Sequence, residues 1–248
     1  MEKNDIKVSF TILVHNEDES LQKLLDQLNS IKTIWDEVII VHDTPCTNPK
    51  TIEILEKYKS DSVYVYERSL NGDFASQKNF ADSKCTNPYI FNIDADELLD
   101  SHLSTSFREI IFINQDVEYF RLPRVNKVSG IELSNITQWN WNISQIKTEI
   151  EESKLNESQE LFKLLKLFNL IISENNGMFT YYTPIINWPD LQGRIYKRLP
   201  NILWQNKVHE FIVGYKKYAN FPLDKKFSLL HYKTIDNQIK QNNFYSGL

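Results

Sequence analysis

The sequence is short of several residue types that announce common chemistries. It has two cysteines, Cys46 and Cys85, in 248 residues. That is too few for a disulfide framework and points to a reducing compartment. Only six glycines are present, and none falls in a Gly-X-Gly-X-X-Gly, Gly-Lys-Ser/Thr or Gly-X-Ser-X-Gly pattern. Nicotinamide dehydrogenases, P-loop enzymes and nucleophile-elbow hydrolases are therefore not expected. No Cys/His spacing suits zinc. No apolar run approaches the roughly 18 residues of a membrane span, and Met1–Asp5 holds no apolar core of a signal peptide. Positive charge is not in excess: 28 Lys and Arg face 33 Asp and Glu, a net charge of -5. A nucleic-acid partner would call for a basic face, so none is expected. These absences together point to a cytoplasmic protein.

The first hundred residues alternate short apolar runs with helical spacing. Val8–Val14, Glu37–Val41, Ser62–Tyr66 and Tyr89–Ile93 are rich in β-branched and apolar residues, as strands buried on both faces are. Leu21, Leu24, Leu25 and Leu28 lie at helical spacing between the first two, and Thr51–Lys59 reads as a helix between the next. Strand and helix in this alternation predict βαβ units and a parallel sheet. Ligands of such sheets sit at the carboxyl ends of strands. His15–Glu17, Asp43 and Asp94–Glu97 all fall there, so one crevice can collect them.

The second half is less regular. Val117–Pro123, Gly193–Tyr196 and Phe227–Tyr232 read as strands. Residues 144–172 combine Glu-rich positions with Leu161-Phe162, Leu164-Leu165, Leu167-Phe168 and Leu170-Ile171-Ile172. This predicts a helical stretch with a wide apolar stripe. Packing on the core is the plainer reading, and peripheral contact with a membrane or a partner is the alternative.

Four segments carry candidate chemistry. Asp94-Ala95-Asp96 places two carboxylates one residue apart at a strand end, where both can reach one hard cation such as Mg²⁺ or Mn²⁺. Glu97 adds a third carboxylate, a local charge density that calls for a cation. Alone, Asp-X-Asp marks a solvated turn more often than a site. Gly72–Ala81 puts Lys78 and Asn79 near the start of a helix, where they can hold a phosphate or a ribose; an amphipathic helix burying Phe74 and Phe80 is the plainer account. Trp204–Glu210 contains a His-Glu pair, and such pairs are usually incidental. His231 lies at a strand end, where a lone histidine is more often structural than a ligand.

The order of these motifs resembles family 2 glycosyltransferases of GT-A fold, most closely the branch of lipopolysaccharide-core β-glycosyltransferases. Ile12-Leu13-Val14-His15-Asn16-Glu17 matches the family's opening strand and Asn-Glu-like turn. Val41-His42-Asp43-Thr44-Pro45-Cys46-Thr47 matches a strand ending in Asp and Ser/Thr-rich residues. Phe74–Asn79 and Asp94–Glu97 match its Phe-Ala/Gly-X-Gln-Lys/Arg-Asn and Asp-Ala-Asp-Glu runs. Arg194–Arg198 and Val208-His209-Glu210 match an Arg-rich strand followed by Val-His-Glu, and His231-Tyr232 with Lys240 and Tyr245 matches its final segment. The likeness covers about residues 6–246. The loop after Asp43 lacks the family's usual glycine, and about 131–180 matches nothing.

The resemblance implies a single GT-A domain with a mostly parallel sheet flanked by helices. Residues 1–100 would form the nucleotide-sugar half and 101–248 the acceptor half, with a helical insert at about 134–180. It implies inverting transfer of a hexose from a nucleotide diphosphate sugar, usually a UDP-sugar, to a hydroxyl of a glycan, glycolipid or protein, with Mn²⁺ or Mg²⁺. Asn16, Glu17 and Asp43 would contact the nucleotide, and Lys78 the ribose or phosphate. Asp94 and Asp96 would be the metal pair, with Asp96 the surer ligand, Asp94 also facing the donor, and His231 completing the shell. Glu210 is the first choice as general base and Asp190 the second. A plainer role for Glu210 is to pair with Arg194 or Lys207 and hold its loop. A sugar nucleotidyltransferase is a weaker alternative, since its Gly-rich phosphate loop is absent. A degenerate module that only binds a partner is the non-enzymatic one, disfavoured by the retention of Asp94, Asp96 and Glu210.

Overall fold

The computed structural model describes residues 5–44, 48–151, 172–175 and 178–246. Along the chain the elements are β1 (Val8–Val14), α1 (Glu19–Ile31), β2 (Glu37–His42), α2 (Pro49–Tyr58), β3 (Val63–Glu67), α3 (Phe74–Lys84), β4 (Tyr89–Asn92), β5 (Glu97–Leu99), α4 (Ser101–Ile113), β6 (Tyr119–Leu122), β7 (Arg124–Ser129) and α5 (Leu133–Gln138). There follow β8 (Ile143–Glu151), β9 (Ile172–Asn175), β10 (Met178–Ile186), β11 (Gln192–Lys197), β12 (Leu203–Gln205), β13 (Phe211–Val213), β14 (Tyr218–Asn220), β15 (Leu229–Thr234) and α6 (Ile235–Ser246). The chain divides into two units. The first holds residues 1–123 and 191–229, and the second holds 124–190 and 230–247.

The first unit is built on a seven-stranded sheet in the order β14-β6-β11-β4-β1-β2-β3. β1 pairs in parallel with β2 and β4, and β2 with β3. Only β11 runs against its neighbours β4 and β6, so the sheet is mostly parallel, as the alternating pattern predicts. All six residues of β2 and all four of β4 are buried, which explains the apolar runs Val38–Val41 and Tyr89–Phe91 within them. Phe10, Phe91 and Phe107 meet at ring distances of 5.6 to 6.3 Å in the centre of the core. The helical spacing of α1 buries Leu21, Leu24, Leu25 and Leu28 against the sheet, each contributing roughly 1.5–3 kcal/mol.

Short polar side chains start the helices. Asp18, Asn48, Asp73 and Asp100 each accept from a backbone N–H of the first turn of α1, α2, α3 and α4, groups that no helical carbonyl can satisfy. Gly193 in β11 is required by space, since a Cβ there would lie 1.8 Å from the Tyr119 hydroxyl. The buried Asp36 carboxylate takes hydrogen bonds from Val8 N at 2.8 Å and Arg108 Nη2 at 2.7 Å, and so ties the entry of β1 to α4.

The second unit contains an antiparallel sheet in which β15, β7, β10 and β8 follow in order and β9 adds to β10. This corrects the helix expected over 144–151. Among the described residues of the insert expected at about 134–180, Leu133–Gln138 is helical, while Ile143–Glu151 is a nine-residue strand paired with Met178–Ile186. The reason is visible in the sequence: Ile146, Thr148 and Ile150 alternate with Lys147, Glu149 and Glu151, a period of two with β-branched residues. The Glu and Lys content suggested a helix, and the alternation prevailed. The apolar stripe from Leu161 to Ile171 lies outside the described residues.

One polar cluster in the first unit sets a pH dependence. Tyr196 Oη donates between both Asp82 oxygens at 2.9 Å, and Trp204 Nε1 donates to Tyr196 Oη at 2.9 Å. Burial pushes the Asp82 carboxyl from 3.8 up to about 7, against the lowering effect of Tyr196 and the Lys78 charge. Folded chain therefore holds a proton that unfolded chain has released between these two values. Stability is fully present at the acid end of the window and is lost as pH rises through it, by at most about 1.4 kcal/mol per pH unit. Asp82→Asn should remove this slope. Urea denaturation of both proteins across the window, compared at each pH, checks it; parallel curves would refute it.

Candidate functional site

Three parallel strands of the first unit end side by side. Val14 of β1 is in register with His42 of β2, and Thr11 of β1 with Asn92 of β4. Backbone bonds carry the pairing past the strand ends, from Asp43 N to Val14 O at 2.7 Å and from Ile93 N to Thr11 O at 3.0 Å. His15–Glu17, Asp43 and Asp94–Glu97 consequently leave the sheet together, as the sequence reading requires.

Each of these groups has a local partner. His15 Nδ1 lies 3.0 Å from Asp43 Oδ2, while Asp43 Oδ1 accepts from Leu70 N at 2.6 Å. Asn16 contributes its carbonyl, which accepts from Asn48 Nδ2 at 3.2 Å. Glu17 Oε2 accepts from His15 N at 2.7 Å. Burial holds the Glu17 carboxyl above its ordinary value, two backbone N–H bonds oppose this, and the Asp96 charge adds to the rise. Burial also depresses the His42 imidazole at the end of β2, and its Nε2 has no hydrogen-bond partner.

The Asp94–Glu97 turn is organised by Arg194 of β11, whose side chain is 3% exposed. Its Nη1 donates to Asn92 Oδ1 at 3.1 Å and Asp94 Oδ1 at 3.0 Å. Its Nη2 donates to Asp94 Oδ2 and, at 2.7 Å, to Glu97 Oε1. Glu97 is fully buried, and its other oxygen accepts from Asp94 N at 3.1 Å. The carboxylate density that the sequence assigned to a metal ion is therefore met in large part by a buried guanidinium. Sequence reasoning named Arg194 as the start of an Arg-rich strand and as a possible partner of Glu210. Its alternation with Tyr196 on one face of β11 marks it as inward-pointing, but nothing local reveals which carboxylates it meets.

Helix α3 explains the Gln-Lys-Asn run. Gln77 Nε2 donates to Arg68 O at 2.7 Å, and its amide oxygen accepts from Arg68 Nη1. Asn79 makes a reciprocal pair with the Trp204 backbone, both bonds at 2.9 Å. Between them, the Lys78 ammonium lies 2.7 Å from Glu210 Oε1 and 4.2 Å from the centre of the Trp204 ring. The side chains of Lys78 and Glu210 are 6% and 17% exposed, so the pair is largely desolvated. Glu210 thus does hold a loop, with Lys78 as its partner in place of Arg194 or Lys207.

The second unit has its own cluster. Asp190 Oδ2 accepts from Arg124 Nε at 2.8 Å and from Asn126 Nδ2 at 2.6 Å. Asn126 also donates to Ile186 O at 3.3 Å, which orients its amide so that Oδ1 faces His231 Nδ1 at 2.8 Å. His231 Nδ1 is then the donor in this bond. Asp190 follows a cis Trp188–Pro189 peptide and has φ +36°, in a turn where Asn187 has φ +54°. Asn and Asp are among the non-glycine residues that most readily adopt this region. Arg124 and Asn126 have no motif of their own and were not singled out from sequence.

For a divalent ion, the described residues offer no ready-made cage: no three His, Cys, Asp or Glu side chains among them are grouped to hold one. Mg²⁺ and Mn²⁺ sites that serve phosphates need only one or two carboxylates, the rest being water and phosphate oxygens. Asp96, with Glu17 near it, fits that requirement. No helix among the described residues is long and apolar enough to cross a membrane.

The model of glycosyl transferase family 2 matches residues 9–181, more than two-thirds of the chain. A glycosyltransferase of Rickettsia typhi is 36% identical over 112 residues, 44% of this chain and 35% of that protein. The lipopolysaccharide core biosynthesis glycosyltransferase LpsC of Rhizobium meliloti is 30% identical over 122 residues, 48% of this chain and 42% of that protein. These matches span about a third to two-fifths of the relatives' lengths. The crystal structure of S. aureus TarS 1–349 covers 95% of this chain and 62% of its own, at 13% identity and a TM-score of 0.47. On the family match and its mostly parallel, helix-flanked sheet, the chain belongs to glycosyl transferase family 2 and has the GT-A fold.

Proposed function

We propose that the chain is an inverting hexosyltransferase that takes a sugar from a nucleotide diphosphate donor, with UDP-sugars the first choice, and passes it to a hydroxyl of a glycan, glycolipid or protein. The observation that carries this reading is the meeting of Glu17, Asp43 and the Asp94–Glu97 turn at three adjacent strand ends. A crevice of that kind takes a nucleotide, and its carboxylates suit the ribose hydroxyls and a cation. The name of the Rhizobium meliloti relative supports lipopolysaccharide as an acceptor class.

In this reading, Asn16, Glu17 and Asp43 receive the nucleoside, Asp96 holds Mn²⁺ or Mg²⁺, and Asp94 lines the donor from its place on Arg194. The ion's contribution is neutralisation of charge developing on the departing diphosphate. The family resemblance assigns His231 a place in the metal or diphosphate shell. The acceptor oxygen forms a bond to the anomeric carbon as the carbon–diphosphate bond breaks, the leaving electron pair goes to the diphosphate, and a carboxylate takes the hydroxyl proton. Both candidates for that carboxylate are paired to cations. Asp190 is also oriented by Asn126, whereas Glu210 is committed to a desolvated lysine. These observations favour Asp190 as the base and give Glu210 the role of fixing Lys78.

Two measurements check the reading. UDP with Mn²⁺, at about 100 times its dissociation constant, should stabilise the chain by about 2.7 kcal/mol, and Asp96→Ala should abolish the metal-dependent part. Stabilisation by UDP that is equal with and without a chelator would contradict it. Asp190→Asn should lower turnover by at least about 100-fold with donor affinity within a few-fold of wild type. Glu210→Gln should chiefly weaken donor binding. The reverse pattern would return the base to Glu210.

A further inference from the structure

At one edge of the first unit's sheet, β14 pairs in parallel with β6, with Tyr218 in register with Tyr119 and Asn220 with Arg121. Alternation sends Phe120, Leu122 and Ala219 toward the core and leaves Tyr119, Arg121, Tyr218 and Asn220 on the opposite face. Arg121 is half-buried there and is held in two ways. Its Nε donates to Asn220 Oδ1 at 2.9 Å, and its guanidinium lies 4.6 Å from the centre of the Tyr218 ring. Its two terminal nitrogens make no hydrogen bond or ion pair among the described residues. Two acids of this edge are engaged elsewhere, Asp116 with Lys217 Nζ and Glu118 with the Lys216 N–H. Tyr218 is 51% exposed and packs edge-on against Tyr215, whose ring lies 4.5 Å from that of Tyr119.

A planar guanidinium fixed on a ring, with both nitrogens of its fork open, matches the two oxygens of a carboxylate or a phosphate. The exposed tyrosine beside it adds a flat apolar face with a polar tip, which suits the C–H face of a sugar ring. We propose that Arg121, with Tyr218 and Asn220, binds the acidic group of a sugar in the acceptor, so that the acceptor is a glycan bearing a uronate carboxylate or a phosphate. This deepens the transferase reading above and rests on it. The placement on the sheet supports an acceptor site. Arg121 is in register with Gly193 of β11, and β11 pairs on its other side with β4. Arg121 therefore stands two strand spacings, roughly 10 Å, from the strand that leads into Asp94. Gly193 keeps the intervening surface low, since its missing Cβ leaves the space that the Tyr119 hydroxyl occupies.

The test titrates the full chain, without donor, with methyl β-D-glucuronide, glucose 6-phosphate, methyl β-D-glucoside and inorganic phosphate, and follows the NMR signals of the arginine Nε–H groups. One of the two acidic sugars should move the Arg121 signal and bind at least about tenfold more tightly than the neutral glucoside; which one does so identifies the acidic group. Arg121→Gln should bring that affinity down to the level of the neutral glucoside. Arg121→Lys keeps the charge but loses the fork, and should recover only part of the affinity. Tyr218→Ala, at an exposed position, removes the ring under the guanidinium and should weaken the acidic sugar by about threefold or more. The proposal is overturned if neither acidic sugar binds more tightly than the neutral glucoside, or if Arg121→Gln leaves the affinity unchanged. It is equally overturned if inorganic phosphate binds as tightly as the acidic sugar, which would mark an adventitious ion only. Failure of UDP to bind with any ion would sink the donor reading alone, since these titrations contain no nucleotide.

Discussion

A buried arginine bridging two strands is the constraint on which the site depends. Arg194 reaches from β11 to the end of β4 and donates hydrogen bonds to Asn92, Asp94 and Glu97, with its own side chain 3% exposed. Without it, a fully buried Glu97 would carry an uncompensated charge, a loss of about 3–5 kcal/mol for buried pairs. With it, Asp94 and Glu97 of the turn after β4 are held by one guanidinium. The antiparallel insertion of β11 into an otherwise parallel sheet is what delivers the arginine there. A regular βαβ continuation would put a parallel neighbour in its place.

The same logic recurs around α3. Lys78 is a cation in a poorly solvated position, stabilised by the Glu210 carboxylate and the face of Trp204. Asn79 and Gln77, on either side, bind backbone of other segments, so the helix is held at three successive residues. The loop from Trp204 to Glu210 is thereby attached to α3 through Asn79, Lys78 and a backbone bond from Phe74 N to Lys207 O at 2.9 Å. Charged residues near this crevice are fixed in pairs before any ligand arrives, which keeps reorganisation small on binding.

Much of the first unit was legible in the sequence. β1, β2 and β4 show as apolar runs because both faces are covered, and α1 shows through its leucine spacing. The candidate carboxylates were legible too, because chemistry in a parallel sheet gathers at strand ends and Asp43 and Asp94–Glu97 follow apolar runs directly. What was not legible is pairing over long separations. Arg194 meets carboxylates about a hundred residues earlier, and Glu210 meets Lys78 across a similar interval; no local pattern specifies either choice. The Ile143–Glu151 strand was misread because glutamate and lysine content outweighed a short alternation in the reading, whereas antiparallel pairing with Met178–Ile186 favours the alternation. Asn126 and Arg124 orient Asp190 from a strand that carries no motif, so their part in the cluster could be found only from coordinates.

The central claim is that the donor nucleotide binds where β1, β2 and β4 end, with Asp96 on its metal ion. A crystal structure of the chain with UDP and Mn²⁺ tests it most directly. The account predicts the ribose or base beside Asp43, the ion on an Asp96 oxygen, and Arg194 still paired with Asp94 and Glu97. A nucleotide bound away from these three strand ends, or an ion held without Asp96, would contradict it.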